Sequence, residues 1–482
     1  MKLLQINIAT CVLVLFIAIA CRDAASKNSS HTSSKESITL SGENLRRAMA
    51  LTDSAIVAHF TGKEMAMARF YNPYTGVRSE EKGSIWMYTS AIEAINAILH
   101  GLEAQKSEGD VSLYNANFER YVQLLHSLYE NADYYLGTFE LTSYTQTRKW
   151  SVYGVNRHNV KGAAKVAGIE NVYDDQMWLV RELIEAYRLT KNEVYLQKAE
   201  YLTEYILDGW DCTRDGHGNE IGGITWGPGY VTKHACSNAP MVSPLVWLSE
   251  LYKNKPDEIT YNFIDAKDNK TRQTILVKKS DYYLEFAKKI YHWQKEHLLR
   301  EDGVYDDMMG GCVPGTPETE IVNGTVFRKG IVCRDRVGPA ITYNSGTMLS
   351  GATDLYRVTN NEHYLDDARK LADASFNYFA KPEQTLPGYY TYDTSGFRNW
   401  FNGVLMRAYV DIFPAYDNVE KYIDSFQKIL DYGYENFLFK GVLPTNLLAG
   451  WNSEHDKNNT EAMFSFAFAA EYAVLSSYEL QK

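Results

Sequence analysis

The chain has 482 residues, 45% hydrophobic and 23% charged, an ordinary globular composition with length enough for a large core. Its net charge of −11 argues against a nucleic-acid surface, which requires a basic stripe. Length alone suggests about three domains of roughly 150 residues each, but barrels routinely exceed that size as one unit.

Met1-Lys2-Leu3-Leu4 opens a short positive region, and residues 6–20 form a largely apolar run. That run is shorter than the ~20 residues a membrane span needs. It ends in Ala18-Ile19-Ala20-Cys21, small residues before a cysteine, which resembles the lipobox of bacterial lipoproteins. The expectation is a signal peptide over 1–20 and a lipidated Cys21 as the first mature residue. Contact with the outer membrane is then through the lipid anchor alone, on the cell surface or the periplasmic face. An ordinary signal peptide is the alternative. Residues 26–37 are rich in Ser and Lys without an apolar period, so 21–42 reads as a flexible tether.

From residue 43 onward apolar positions recur with a helical period. Helices are predicted near 43–61, 84–103, 113–136, 174–190, 193–208, 239–254, 279–299, 345–358, 361–380, 398–413, 417–437 and 459–480. Few stretches alternate as strands do. Two hairpins resemble each other, Ala186-Tyr-Arg-Leu-Thr-Lys-Asn-Glu-Val-Tyr-Leu196 and Leu355-Tyr-Arg-Val-Thr-Asn-Asn-Glu-His-Tyr-Leu365, as antiparallel helix pairs do. Long irregular segments precede residues 84, 174, 239, 345, 398 and 459, and a lysine-rich insert lies near 255–277. Other connections are short. With short turns at one end and long loops at the other, six helix pairs close into an all-α (α/α)6 barrel spanning 43–482. The six helices entered from long loops line its inside, their amino termini at the mouth. An open α-solenoid is the alternative, because a helix count does not prove closure. Loops on a rigid scaffold carry function, which directs attention to the mouth.

The starts of the inner helices supply Trp86 and Tyr88, Lys233-His-Ala-Cys-Ser-Asn-Ala-Pro240, Tyr343 with Asn344, and Asn399 with Trp400. Trp226 lies in the loop Gly222-Gly-Ile-Thr-Trp-Gly-Pro-Gly229. Tyr and Trp combine an apolar ring with a polar tip, which suits the C–H faces and hydroxyls of a sugar, although most rings simply fill core. Asn238 and Asn344 read equally well as helix caps or as ligands.

Three acidic pairs compete for chemistry. Asp366-Asp367 sits in the charged first turns of an outer helix and reads as a solvated face. Asp306-Asp307 stands in the Gly-rich loop Gly303-Val-Tyr-Asp-Asp-Met-Met-Gly310. Asp174-Asp175 stands in Asn171-Val-Tyr-Asp-Asp-Gln-Met-Trp178, at the end of a long loop and the start of an inner helix. One of these two can cap the helix while the other works. Adjacent residues there project about 100° apart, so their carboxyls can flank one glycosidic bond. The helix amino terminus favours an ionised nucleophile, while burial and like charge raise the partner's pKa, as a general acid requires.

With Cys11 lost in the signal and Cys21 lipidated, Cys212, Cys236, Cys312 and Cys333 remain. Each neighbouring pair falls within one loop, so bridges Cys212–Cys236 and Cys312–Cys333 are expected, each contributing roughly 3 kcal/mol. Free thiols are the alternative. No zinc-type spacing accompanies them.

Tyr173-Asp174-Asp175 with Trp178, then Gly222-Gly223 and Trp226, then Lys233 through Ser237-Asn238-Ala239-Pro240 resemble successive motifs of glycoside hydrolase family 76. Thr342-Tyr343-Asn344-Ser345-Gly346, Leu349-Ser-Gly-Ala352 and Leu355-Tyr-Arg-Val-Thr359 follow in that family's order. The likeness covers most of residues 80–480 and fits a lipoprotein member of the Bacteroides type. It implies an (α/α)6 barrel and a retaining, endo-acting α-1,6-mannanase working on the backbone of yeast-type mannan, without metal; no cofactor and a monomer are expected. It implies Asp174 as nucleophile and Asp175 as acid/base. The candidate sugar contacts are Tyr173, Trp86, Trp226, Asn238, Tyr343, Asn344, Asp335 and Trp400. Ser345 stands where the family usually has Gln, and the loop 313–337 is long, which bears on subsites and on endo against exo action. Two other readings fit parts of the chain: a lipid-anchored glycan-binding protein without catalysis, and a mannan transglycosylase on the same barrel.

Overall fold

Helix begins earlier than the tether reading allows. In the computed structural model, which describes residues 39–482, α1 is already helical at residue 39 and runs to 59. The Ser41 hydroxyl donates to the Ser476 carbonyl at 2.7 Å and accepts from the Gln105 amide at 2.7 Å, so residues called tether are docked on the barrel. The expected signal segment and the lipidation residue Cys21 lie outside the described residues.

Twelve helices are found among the described residues. Six are inner: α2 (Ile85–Ser107), α4 (Tyr173–Thr190), α6 (Val242–Leu251), α8 (Thr342–Thr359), α10 (Arg398–Ile412) and α12 (Ala462–Glu479). Between them run α1 and the outer α3 (Ser112–Ala132), α5 (Glu193–Asp208), α7 (Lys279–Leu298), α9 (Glu362–Phe379) and α11 (Glu420–Phe437). Each inner helix packs on the next, and α12 returns to pack on α2. That contact closes the ring, and the fold is an (α/α)6 barrel rather than a solenoid.

The residue pattern explains which helices go inside. Along α12 nearly every side chain is buried, from Ala462 to Glu479, as a helix contacted on all sides must be. Along α11 burial is confined to one stripe, Tyr422, Ile423, Ser425, Phe426, Leu430 and Gly433, and the opposite face is charged. The repeated hairpins end alike: Lys191 and Asn360 take left-handed φ values of 57° and 52°, and Asn192 and Asn361 cap the following helices.

Strands are more frequent than expected. The loop before α4 holds an antiparallel hairpin, β1 (Leu136–Thr142) with β2 (Thr147–Tyr153). The lysine-rich insert is a second, β3 (Glu258–Ile264) with β4 (Arg272–Lys278). These strands bury few residues and β4 buries none, so no apolar face repeats along them to give an alternating pattern.

Among the described residues Cys212, Cys236, Cys312 and Cys333 are free thiols, and the two expected bridges are corrected. Cys212 sits in the core beside Trp210, whereas the Cys236 thiol is turned towards Asp174; the two loops that carry them point these side chains into different surroundings.

Candidate active site

The Asp174-Asp175 pair lies on the first turn of α4. The residue before that helix, Val172, is extended and offers no side-chain cap. The entry is fixed from outside, by the Tyr173 amide donating to the Trp226 carbonyl at 2.8 Å. Neither aspartate is used up as a cap. Both face a cleft of about 450 Å³ lined also by Trp86, Asn156, Glu170, Trp226 and Tyr230, within the size range of small-molecule sites.

The two carboxyls differ in their surroundings. Burial pushes Asp174 up to about 7, while the Cys236 thiol, its own first-turn amides and the Trp226 indole work in the other direction, favouring the ionised form. Even so, Asp174 Oδ1 and Trp226 Nε1 each lack a closed hydrogen bond. Asp175 is only 5% exposed, and burial followed by the Asp174 charge raises it well above the carboxylate range. Nothing favours its ionised form. One carboxyl is therefore equipped to carry charge and the other to keep its proton.

The wall is a stack of aromatic rings. Trp226 lies on His234, centroids 4.9 Å apart at 19°, and tilts against Tyr230. Across the cleft Trp86 meets Trp400 edge-on at 5.2 Å. Trp400 and Tyr343 are nearly fully buried and form a layer behind the cleft. The Trp400 indole donates to Glu93 at 2.8 Å, and Glu93 also pairs with Arg407.

Several expected sugar contacts do other work. Tyr173 is wholly buried, with its ring against Tyr205 and close to Gly209, so it is core. Asn238 is neither ligand nor side-chain cap: its carboxamide donates to the Ile224 and His234 carbonyls and accepts from the Ile224 amide. It pins the Trp226 loop. Asp335 is exposed, and its carbonyl receives the Gly310 amide at 2.8 Å; it is absent from the cleft lining. Asn344 is buried against Asp307, 3.4 Å from its Oδ1. Gly346 belongs to packing, since a Cβ there would meet the Leu405 backbone at 2.9 Å.

No signal in the sequence points to Tyr230, which lines the cleft; His234 stands only within the Lys233–Pro240 block, Cys236 is expected in a bridge, and Asp307 ranks behind the Asp174-Asp175 pair. Burial pushes His234 down to about 4, so it supports Trp226 as a neutral ring. Burial raises Asp307, whose charge reaches the Cys236 thiol between it and Asp174. Asp306, by contrast, pairs with Arg300 at 3.2 Å. The Val-Tyr-Asp-Asp copy in the sequence was the signal for Asp307.

A closed (α/α)6 barrel with a buried carboxylate pair in an aromatic cleft has the form of a glycoside hydrolase. The family model "Glycosyl hydrolase family 76" matches residues 131–257 and 273–430, more than half of the chain, and the chain belongs to that family. Among solved structures, a family 76 mannosidase from Bacteroides thetaiotaomicron VPI-5482 superposes with a TM-score of 0.65 at 20% identity, covering 91% of this chain and 99% of its own. An α-mannanase of the same family from Bacteroides thetaiotaomicron gives 0.60 at 16% identity over 91% and 96%. An inactive variant of an α-1,6-mannanase from Salegentibacter sp. HEL1_6, with two consecutive aspartates replaced by asparagine and α-1,6-mannotriose bound, gives 0.58 at 19% identity over 90% and 99%. No curated protein matches the sequence.

Proposed function

We propose that the protein is a retaining, endo-acting α-1,6-mannanase, with Asp174 as nucleophile and Asp175 as acid/base. The observation that carries this reading is the unequal pair itself: two adjacent buried carboxyls at one helix start, one with donors aimed at it and one with none. Retention needs one ionised and one protonated carboxyl about 5–5.5 Å apart, and neighbours on a helix start suit that spacing. Asp174 attacks the anomeric carbon while Asp175 protonates the departing oxygen. Asp175, now ionised, then takes a proton from the water that releases the glycosyl group. Trp86, Trp226 and Tyr230 offer ring faces to the sugar. The similar mannanases, one of them an α-1,6-mannanase inactivated at consecutive aspartates, support the substrate class and the role of the pair. The Ala-Ile-Ala-Cys21 sequence supports anchoring to the outer membrane through lipid.

The test is to incubate chain 22–482 with linear α-1,6-mannan and follow products by size and by anomeric proton signals. The expected result is a ladder of shorter oligosaccharides released first as α-anomers. Mannose alone would indicate exo action, longer products a transglycosylase, and no turnover a binding protein. First release of β-anomers would overturn retention.

A further inference from the structure

The hydrogen bond from Trp400 to Glu93 ties the wall of the cleft to a charge pair deep in the barrel. Trp86 and Glu93 both lie on α2, and Trp400 and Arg407 both lie on α10. On each helix the two side chains share a face about two turns apart. At the upper level the Trp86 and Trp400 rings meet edge-on, and Trp86 lines the cleft. At the lower level Glu93 is 4% exposed and spends its two oxygens on different partners. Oε1 accepts from the Arg407 guanidinium, and Oε2 accepts from the Trp400 indole at 2.8 Å. Trp86 also touches Phe397 and Phe401 at the start of α10. Trp400 touches Trp178 at 4.6 Å, about one turn along α4 from the aspartates. Ring contacts alone leave an indole free to turn over in its slot, whereas a hydrogen bond from its single N–H selects one orientation.

We propose that Glu93 is a positioning residue: held by Arg407, it fixes the Trp400 indole and through that ring sets the angle at which Trp86 presents its face to the sugar. A buried ion pair adds little stability over apolar side chains of the same volume, so what Glu93 contributes here is direction. Asp411 and Glu471 also face Arg407, and they partly balance its charge when Glu93 is replaced. Trp86 and Glu93 lie outside the residues that the family model matches, so the shared pattern assigns neither. The inference takes the cleft as the sugar site, and its kinetic arm rests on the mannanase reading above.

The experiment measures kcat and KM of chain 22–482 on linear α-1,6-mannan and compares crystal structures of the parent, Glu93→Leu and Trp400→Phe. Glu93→Leu should raise KM about tenfold with kcat nearly unchanged, the signature of lost binding shared by ground and transition states. Glu93→Gln keeps an acceptor for the indole and should recover most of that loss. In a Trp86→Ala background Glu93→Leu should add little, because the ring it acts through is gone. A merely weakened fold behaves otherwise: it lowers the active fraction, hence kcat, and leaves KM alone. An unchanged KM in Glu93→Leu, or an equal rise in both backgrounds, overturns the proposal. Trp400→Phe deletes the donor and spares the ion pair, so it should reproduce the KM rise even if Glu93→Leu does not fold. In the crystals of both variants the Trp86 ring should turn from its parent orientation, and an unmoved ring overturns the proposal. A parent without turnover on mannan counts against the mannanase reading alone, and the ring orientations then decide.

Discussion

The Trp178 indole donates to the Tyr343 hydroxyl at 2.7 Å, joining α4 to α8 beside the carboxylate pair; burial, and then the charges of Cys236 and the pair, raise the Tyr343 pKa. Tyr343→Phe removes the acceptor and leaves a buried N–H without a partner. Urea unfolding should show a loss of about 1–3 kcal/mol. Adding Trp178→Phe removes the orphaned donor, so the double variant should lose less than the sum of the singles. Strict additivity would mean the bond contributes nothing.

The site carboxyls also make stability depend on pH. In the unfolded chain Asp174 titrates near its ordinary value of 3.8, and in the fold it is pushed up to about 7. Between these values the native state holds more protons, so this group's contribution to stability falls as pH rises. Asp174→Asn should therefore unfold at a higher temperature than the parent at pH about 8, with the gain shrinking towards pH about 4. The parent's kcat/KM should rise through an apparent pKa of about 7 and fall at higher pH as Asp175 loses its proton, both limbs belonging to the pair. An Asp174→Asn variant with no stability gain at alkaline pH would contradict the burial cost.

The helical period and the loop lengths made the barrel legible, because inner helices differ from outer ones in how many of their faces are apolar. The aspartate pair was legible through its place at a helix start after a long loop. The roles of Tyr173 and Asn238 were not, since a motif records that a residue matters and not which way it points: Tyr173 is turned into the core, and Asn238 spends its carboxamide on main chain. The hairpins were hidden because their strands bury too few side chains to alternate: β4 has no buried residue, and its Ile275 and Leu276 are exposed. Cys236 was assigned to a bridge for its spacing, whereas its thiol belongs to the environment of Asp174.

The thiols give a direct check on that correction. Reaction with an aromatic disulfide reagent requires a thiolate. Cys312 is exposed and Cys212 is buried. Burial pushes Cys212 up to about 12 and Cys236 well above its ordinary range. In chain 22–482, Cys312 should react first, Cys212 and Cys236 should be protected until unfolding, and all four cysteines should react in denaturant without reductant. Two missing thiols under those conditions would restore one bridge.

The aspartates should fail in different ways. Asp174→Ala should abolish turnover of every glycoside, because no covalent intermediate can form. Asp175→Ala removes the proton donor, so mannan, whose leaving group is a poor one, should stall. An aryl mannoside with an acidic phenol needs little protonation, so its first step should largely survive and the glycosyl-enzyme should accumulate. Azide needs no general base. It should restore release from Asp175→Ala and yield a mannosyl azide of retained configuration, read by the anomeric coupling in the product. Should Asp174→Ala be the variant rescued with retention, the two roles exchange. Should both variants keep near-parent activity on mannan, the pair serves α4 alone. The acid then has to be sought at Asp307, which burial also raises and which lies within range of the same Cys236 thiol.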